Sequence, residues 1–311
     1  MKLIVSSSPH ITSKETTQSI MLKVIIATVP VMIASVLFFG IGSLLRIATS
    51  VIACVAFERG YEKLMKKPIT VSDLSAVVTG VLLAFNVPST MPLWMIVVGA
   101  LVSIVVVKQL FGGIGFNFAN PALVGRIVLS ISYATEMTNF VFPKTFSGDA
   151  VASATPLAQY AAGTVPNITD MFIGTTGGVL GETSALAILI GFVFLVATKV
   201  ISPVVPVTYV ATVAVFAAIL GVNPVVYVLG GGLLLGAVFM ATDYTTTPYT
   251  TKGKLIYGVC LGLITVIIRK FGSMTEGVSY AILLMNLLLP YVNRASRQHP
   301  LGAPKKVKEA K

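Results

Sequence analysis

Apolar residues come in long runs along this chain, several reaching the roughly 20 residues needed to cross a bilayer. Polar residues are confined to the two tails and to the segments between runs. The runs predict membrane helices near residues 21–39, 43–57, 72–87, 92–110, 119–132, 185–200, 205–220, 224–241, 255–270 and 277–292. The fold class implied is an all-α integral membrane protein with about ten transmembrane helices and no separate soluble domain. Pro30, Pro203, Pro206 and Pro224 fall within or beside these runs, where membrane helices tolerate them. Residues 1–19 read as a polar N-terminal arm, 20–292 as the polytopic membrane domain and 293–311 as a basic tail. The one long polar interruption is 133–184. Structureless loops of that length are uncommon, so it reads either as a site or as disorder.

Composition sharpens this picture. Charged residues make up 11 % of the chain and hydrophobic residues 55 %, whereas soluble domains carry about 25 % charged residues. The arm, with Lys2, Lys14 and Glu15, does not resemble a cleaved signal peptide, because the first apolar run starts only near Ile20. The net charge of +11 is explained by the positive-inside rule rather than by a nucleic-acid partner. With ten spans and a cytoplasmic N-terminus, only Arg46, Lys144, Arg269 and Lys270 of the 22 basic residues fall on the outer side. That bias places both termini in the cytoplasm and 133–184 outside. A faint repeat accompanies it. Gly80–Pro92 and Gly236–Pro248 have equal length, and each ends in Thr-x-Pro. Two units of five helices must be inverted relative to one another, an arrangement that builds pathways at a midplane interface.

Three stretches are candidates for chemistry. Between Lys108 and Arg126, Gly112, Gly113 and Gly115 let backbone amides approach a ligand. Asn117 and Asn120 supply side-chain amides there, and Asn120-Pro121 reads as an N-cap and first helical residue. Such a helix start favours anions, but no strand precedes it, so it is not a dinucleotide fingerprint. A tight re-entrant turn with packing glycines reads the same residues equally well. The second stretch, Met240-Ala-Thr-Asp243-Tyr-Thr-Thr-Thr-Pro248, sets a carboxylate among hydroxyls at a membrane edge; a polar site formed by Asp243 with Thr245, Thr246 and Thr247 competes with a solvated helix end. In the third, Ser147–Pro156, Pro156 biases Thr155 towards an extended backbone, with its hydroxyl expected to project away from any helix. Glu58 reads as a solvated span end, Asp73 as helix N-terminal charge and Glu182 as part of a cap before span six. Cys54 and Cys260 lie in separate apolar runs and His10 and His299 in the tails. Two isolated thiols cannot make a four-ligand site, so no protein-only metal or haem centre is expected.

Taken together, Gly-Gly-Ile-Gly-Phe-Asn-Phe-Ala-Asn-Pro-Ala at 112–122, Gly-Glu-Thr-Ser at 181–184, Met-Ala-Thr-Asp-Tyr-Thr-Thr-Thr-Pro at 240–248 and Asp149 with Ala-Thr155-Pro-Leu resemble the RnfD component of the Rnf electron-transport complex. The sister family is the NqrB component of the sodium-pumping NADH:quinone reductase, whose longer N-terminal extension is not matched here. The resemblance implies a subunit of an ion-translocating ferredoxin:NAD oxidoreductase in a bacterial or archaeal cell membrane, moving Na⁺ or H⁺. It implies FMN joined to Thr155 by a phosphoester, installed by a flavin transferase whose pattern is Asp-Gly-x-Ser/Thr-Gly-Ala-Thr. Here Asp149, Ala154 and Thr155 match, while Ala150, Ala152 and Ser153 depart. Asp149, Ser153, Asn120 and Asp243 are the further cofactor-binding candidates, Asp243 for a second flavin (a noncovalent riboflavin) or the coupling ion and Asn120 for an inner cofactor or a subunit contact. The implied partners are membrane lipid and the Rnf components RnfA, RnfB, RnfC, RnfE and RnfG, with RnfG carrying its own covalent FMN. Nucleotide and iron–sulfur sites belong to other subunits, because this chain has neither the fold nor the cysteines. Read from its residues alone, the chain also fits a cofactor-free channel or transporter.

Overall fold

Capping side chains mark where the apolar runs become helices. Thr16 accepts from the Ser19 amide at 3.2 Å, Asn120 from Ala122 at 3.1 Å, Ser184 from Ala187 at 3.3 Å and Thr250 from Gly253 at 3.0 Å. Each satisfies an amide that a helix start would otherwise leave without a partner. The computed structural model describes residues 15–141, 154–272 and 277–297. Among these, a helical segment occurs at each of the ten predicted positions. The first set is α1 (Thr17–Phe39), α2 (Ile41–Leu64), α3 (Ser75–Phe85), α4 (Leu93–Leu101) and α5 (Pro121–Ser132). Three short helices follow, α6 (Ala134–Thr138), α7 (Pro156–Ala161) and α8 (Ile168–Ile173). The second set is α9 (Ala185–Ala197), α10 (Val204–Ile219), the broken pair α11 (Pro224–Leu229) and α12 (Leu233–Leu235), then α13 (Thr251–Phe271) and α14 (Val278–Ala295). Extended pairing among the described residues is limited to one antiparallel bridge, Pro88 with Val179. Among the described residues, three helices are long and apolar enough by themselves to cross a membrane, α1, α2 and α13.

Close approach of helices rests on glycine. A Cβ on Gly258 would stand 2.0 Å from Thr208 Oγ1, and one on Gly262 2.5 Å from Thr212 Cβ, so α13 lies directly on α10. Membrane helices associate largely through such small-residue contacts. The buried Tyr209 and Thr265 hydroxyls, 2.6 Å apart, add a hydrogen bond to the same pair.

Two expectations need correction. The run 224–241 is not one continuous helix. Gly231 and Gly232 adopt φ of 63° and 65°, a left-handed conformation that glycine enters without steric cost, and the chain resumes as α12 and a π-helical stretch, Gly236–Met240. The carbonyls freed by the break are not stranded. Arg269 of α13 donates to Tyr227 O, to Gly230 O at 2.9 Å and to Gly231 O at 3.0 Å, the kind of internal satisfaction that irregular backbone in a membrane requires. Nor is 133–184 a single polar excursion. Its last residues turn inward and pair with the end of α3, Leu180 N donating to Val87 O at 3.1 Å and Gly181 N to Phe85 O at 2.9 Å. Ser35 of α1 donates to Leu180 O at 2.6 Å. Gly181 allows this approach, since a Cβ there would lie 2.3 Å from Phe85 Cβ.

Candidate functional site

Two of the sequence motifs meet. Asn117 Nδ2 donates to Asp243 Oδ2 at 3.4 Å, and Thr246 Oγ1 donates to the same oxygen at 3.3 Å. Asn120, besides capping α5, donates to Met240 O at 3.3 Å. The glycines between Lys108 and Asn117 make this return possible, Gly112, Gly113 and Gly115 all having positive φ. Together these segments wall a cavity of about 440 Å³ with Thr17, Ile20, Ser75, Lys108, Phe239 and Thr245 among its lining. That size is within the range of cofactor pockets. Burial pushes the Asp243 carboxyl up from the usual carboxylate range, and the bonds from Asn117 and Thr246 oppose it. Of the three threonines expected beside Asp243, Thr247 turns elsewhere and donates to Ala241 O at 2.9 Å and Asp243 O at 2.6 Å.

Glu58 is not a solvated span end. It is buried, with Lys108 Nζ at 2.7 Å and Gln109 Nε2 at 2.8 Å from Oε1. Lys108 also donates to Ser75 Oγ at 2.6 Å. Residues adjacent in sequence both reach one carboxylate because α4 ends in a π-helical stretch, Val102–Gln109, where Leu110 N bonds back to Val105 O at 3.0 Å. The sequence signal was present: ionisable residues inside apolar runs are costly unless paired. Glu182 likewise does more than precede a cap. Ser184 caps α9, while the buried Glu182 carboxylate feels the charges of Arg126 and Arg269 and packs against Gly178 and Gly232.

Thr155 has the extended backbone expected, φ −64° and ψ 155°. Its hydroxyl does not project, however. The residue is 4 % exposed and caps α7, accepting from Ala158 N at 3.3 Å. Pro156, at the first helical position, starts a helix there because its fixed φ suits it and its missing N–H is no loss. Asp149 and Ser153 lie outside the described residues. Beside α7 is a second cavity of about 490 Å³, lined by Leu157, Tyr160, Gly163, Tyr227, Arg269 and Lys270. Tyr160 and Tyr227 meet edge to face with centroids 6.4 Å apart, and Asn223 N donates to Tyr160 OH at 2.8 Å. Arg269 Nε, buried at this cavity, has no hydrogen-bond partner. The Asp243 cavity and the one beside α7 lie towards opposite ends of the molecule: a third cavity, sharing Val200, Ile201, Thr242 and Tyr244 with the Asp243 site, takes in the first turns of α10 and α13, whereas Gly221, Arg269 and Lys270 at their far ends line the cavity beside α7. At 1.5 Å per residue, α10 and α13 separate these ends by roughly 24–31 Å.

Apolar helices with internally paired charges are those of a multi-pass membrane protein. Comparison with known proteins narrows it. The family described as NQR2, RnfD, RnfE matches over residues 4–302, and the chain belongs to that family. It is 48 % identical over 317 residues to the D component of the Na(+)-translocating ferredoxin:NAD(+) oxidoreductase complex of Acetobacterium woodii, covering 100 % of this chain and 99 % of that one. It is 36 % identical to the proton-translocating counterpart of Clostridium ljungdahlii, covering 96 % of each chain. A third relative is the D component of the ion-translocating oxidoreductase complex of Erwinia tasmaniensis, 32 % identical, with 97 % of this chain and 99 % of the relative covered.

Proposed function

We propose that this chain is the D-type membrane subunit of an ion-translocating ferredoxin:NAD oxidoreductase. In this reading it carries electrons between two flavins while the complex moves Na⁺ or H⁺. The observation that carries the reading is the end-to-end likeness to the Acetobacterium woodii protein, 48 % identical with nearly all of both chains aligned. The ion is left open, since the relatives are named for both Na⁺ and protons.

The cavity beside α7 suits a flavin tethered at Thr155, whose buried hydroxyl must leave its cap on α7 for the attachment. Two tyrosine rings offer apolar cover, and Arg269 and Lys270 offer positive charge beside an electron-rich ring or phosphate. The Asp243 cavity suits a second, noncovalent riboflavin. Its lining is largely apolar, with polar groups converging from Asn117, Asp243 and Lys108. When bound, the flavins supply one- and two-electron carriage. The chain's own residues supply placement: Thr155 fixes one carrier at the outer end, Asn117 and Asp243 orient the other at the inner end, and the packed helices keep water out between them.

Ten crossings in two inverted sets complete the reading. What supports it is the pattern of helix neighbours: α1 packs on α9 and α5 on α14, each against its own counterpart, while α2 with α4 and α10 with α13 pair alike. RnfG with its own FMN, RnfA, RnfB, RnfC and RnfE, and a flavin transferase acting on Asp149–Thr155 are the partners this reading requires.

The test is in-gel flavin fluorescence under denaturing conditions, with the chain coexpressed with its transferase. Wild type and Thr155→Ser, which keeps the hydroxyl, are expected to give a fluorescent band, and Thr155→Ala a dark one. A dark wild-type band with a competent transferase would return the chain to the cofactor-free transporters. For the inner cavity, Asp243→Asn is expected to lower the riboflavin extracted per mole of purified protein roughly tenfold, because a hydrogen bond to a charged group contributes about 1.5–3 kcal/mol. Undiminished riboflavin would remove Asp243 from that site.

A further inference from the structure

The third cavity, about 540 Å³, opens where the turn between α9 and α10 meets the start of α13. Lys199, Ser202, Tyr249 and Lys254 stand around it, and Val196 and Val205 form part of its wall. Its lining contains two lysines and no carboxylate. Neither ammonium has a hydrogen-bond or ion-pair partner among the described residues, and the Ser202 hydroxyl has none either. In Lys199 the backbone itself is unusual. It ends α9 with φ of 57°, its own N–H bonding Val196 O at 3.0 Å and that of Val200 bonding Leu195 O at 3.0 Å. This is the helix-ending turn that glycine makes without strain. Here a lysine takes the left-handed position, and its side chain lines the cavity. Tyr244 and Tyr249, 53 % and 80 % exposed, are of the type enriched where a membrane meets water.

We propose that this cavity binds an anionic phospholipid, its phosphate held between Lys199 and Lys254 and its acyl chains running along the apolar wall of α9 and α10. The chemistry recognised is a phosphate ester carrying net negative charge. The valine wall and the position of the cavity at one end of the helices select a lipid rather than a free phosphate. Basic pockets between membrane helices bind acidic headgroups in this way, each lysine near the surface contributing about fivefold. The inference rests on the membrane reading and not on the flavins.

The test uses the purified complex, stripped of lipid in detergent and titrated with phosphatidylglycerol or phosphatidylcholine, with bound lipid counted by native mass spectrometry. The variant is Lys199→Gly/Lys254→Gln, in which glycine removes one charge while easing the left-handed turn, so its melting temperature should be no lower than that of wild type. Phosphatidylglycerol affinity is expected to fall roughly 30-fold in the double variant, with phosphatidylcholine binding unchanged. If the double variant failed to assemble, Lys254→Gln alone would carry the test, with a loss of about fivefold expected. Unchanged phosphatidylglycerol affinity, or an equal loss for both lipids, would overturn the proposal. Displacement of phosphatidylglycerol by millimolar inorganic phosphate would overturn it too, in favour of a free-anion site.

Discussion

Replacing Lys108 by methionine is expected to destabilise the protein by about 3–5 kcal/mol, the usual result of removing one partner from a buried ion pair. Lys108 and Glu58 are 2.7 Å apart with side chains only 4 % and 0 % exposed, so loss of the ammonium would leave the carboxylate buried without its counter-charge. Glu58 Oε2 already has no hydrogen-bond partner, and without Lys108 the carboxylate would keep only the Gln109 bond. Glu58→Gln in the Lys108→Met background should recover much of the loss, since the double variant no longer buries an uncompensated charge. Thermal unfolding in detergent for the four combinations measures the coupling directly. Additive losses, with no recovery in the double variant, would mean the pair is not energetically linked.

Glu182→Gln is expected to cost about 3 kcal/mol or more and to show first as lost yield of folded protein. The substitution keeps shape and removes the carboxylate that feels the charges of Arg126 and Arg269, both buried. Arg126 donates to Asn86 Oδ1 at 2.9 Å, and Arg269 holds the broken backbone at 227–231. Arg126 belongs to α5 and Arg269 to α13, so the carboxylate also couples two helices distant in sequence electrostatically. Gly178 and Gly232 leave no room for a longer side chain, because a Cβ on either would lie 3.0 Å and 2.9 Å from the carboxylate oxygens. A melting temperature equal to that of wild type would show that the arginines are compensated elsewhere.

Much of the architecture was legible because helix formation in a membrane depends on local composition. Runs of apolar residues must satisfy their own backbone, and only a helix does so within one segment. Asn120 as the cap of α5, with Pro121 after it, is equally local, being a matter of two adjacent residues. The break at Gly231–Gly232 was less legible. Glycine within an apolar run serves helix packing in one place, as at Gly258, and a left-handed turn in another, and the residue type is the same.

The site divides along the same line. Composition, apolar runs and motif order determined by themselves that this is a helical membrane protein, and they pointed to its family. Tertiary structure alone brought Asn117 to Asp243 across 126 positions and Lys108 to Glu58 across 50, and set Glu182 within the electrostatic reach of two arginines. The physical reason is that a helix's periodicity is fixed by bonds four residues apart, whereas the partner of a buried charge is chosen by packing between helices distant in sequence. Desolvation makes such a partner necessary, but the sequence does not say which residue it is.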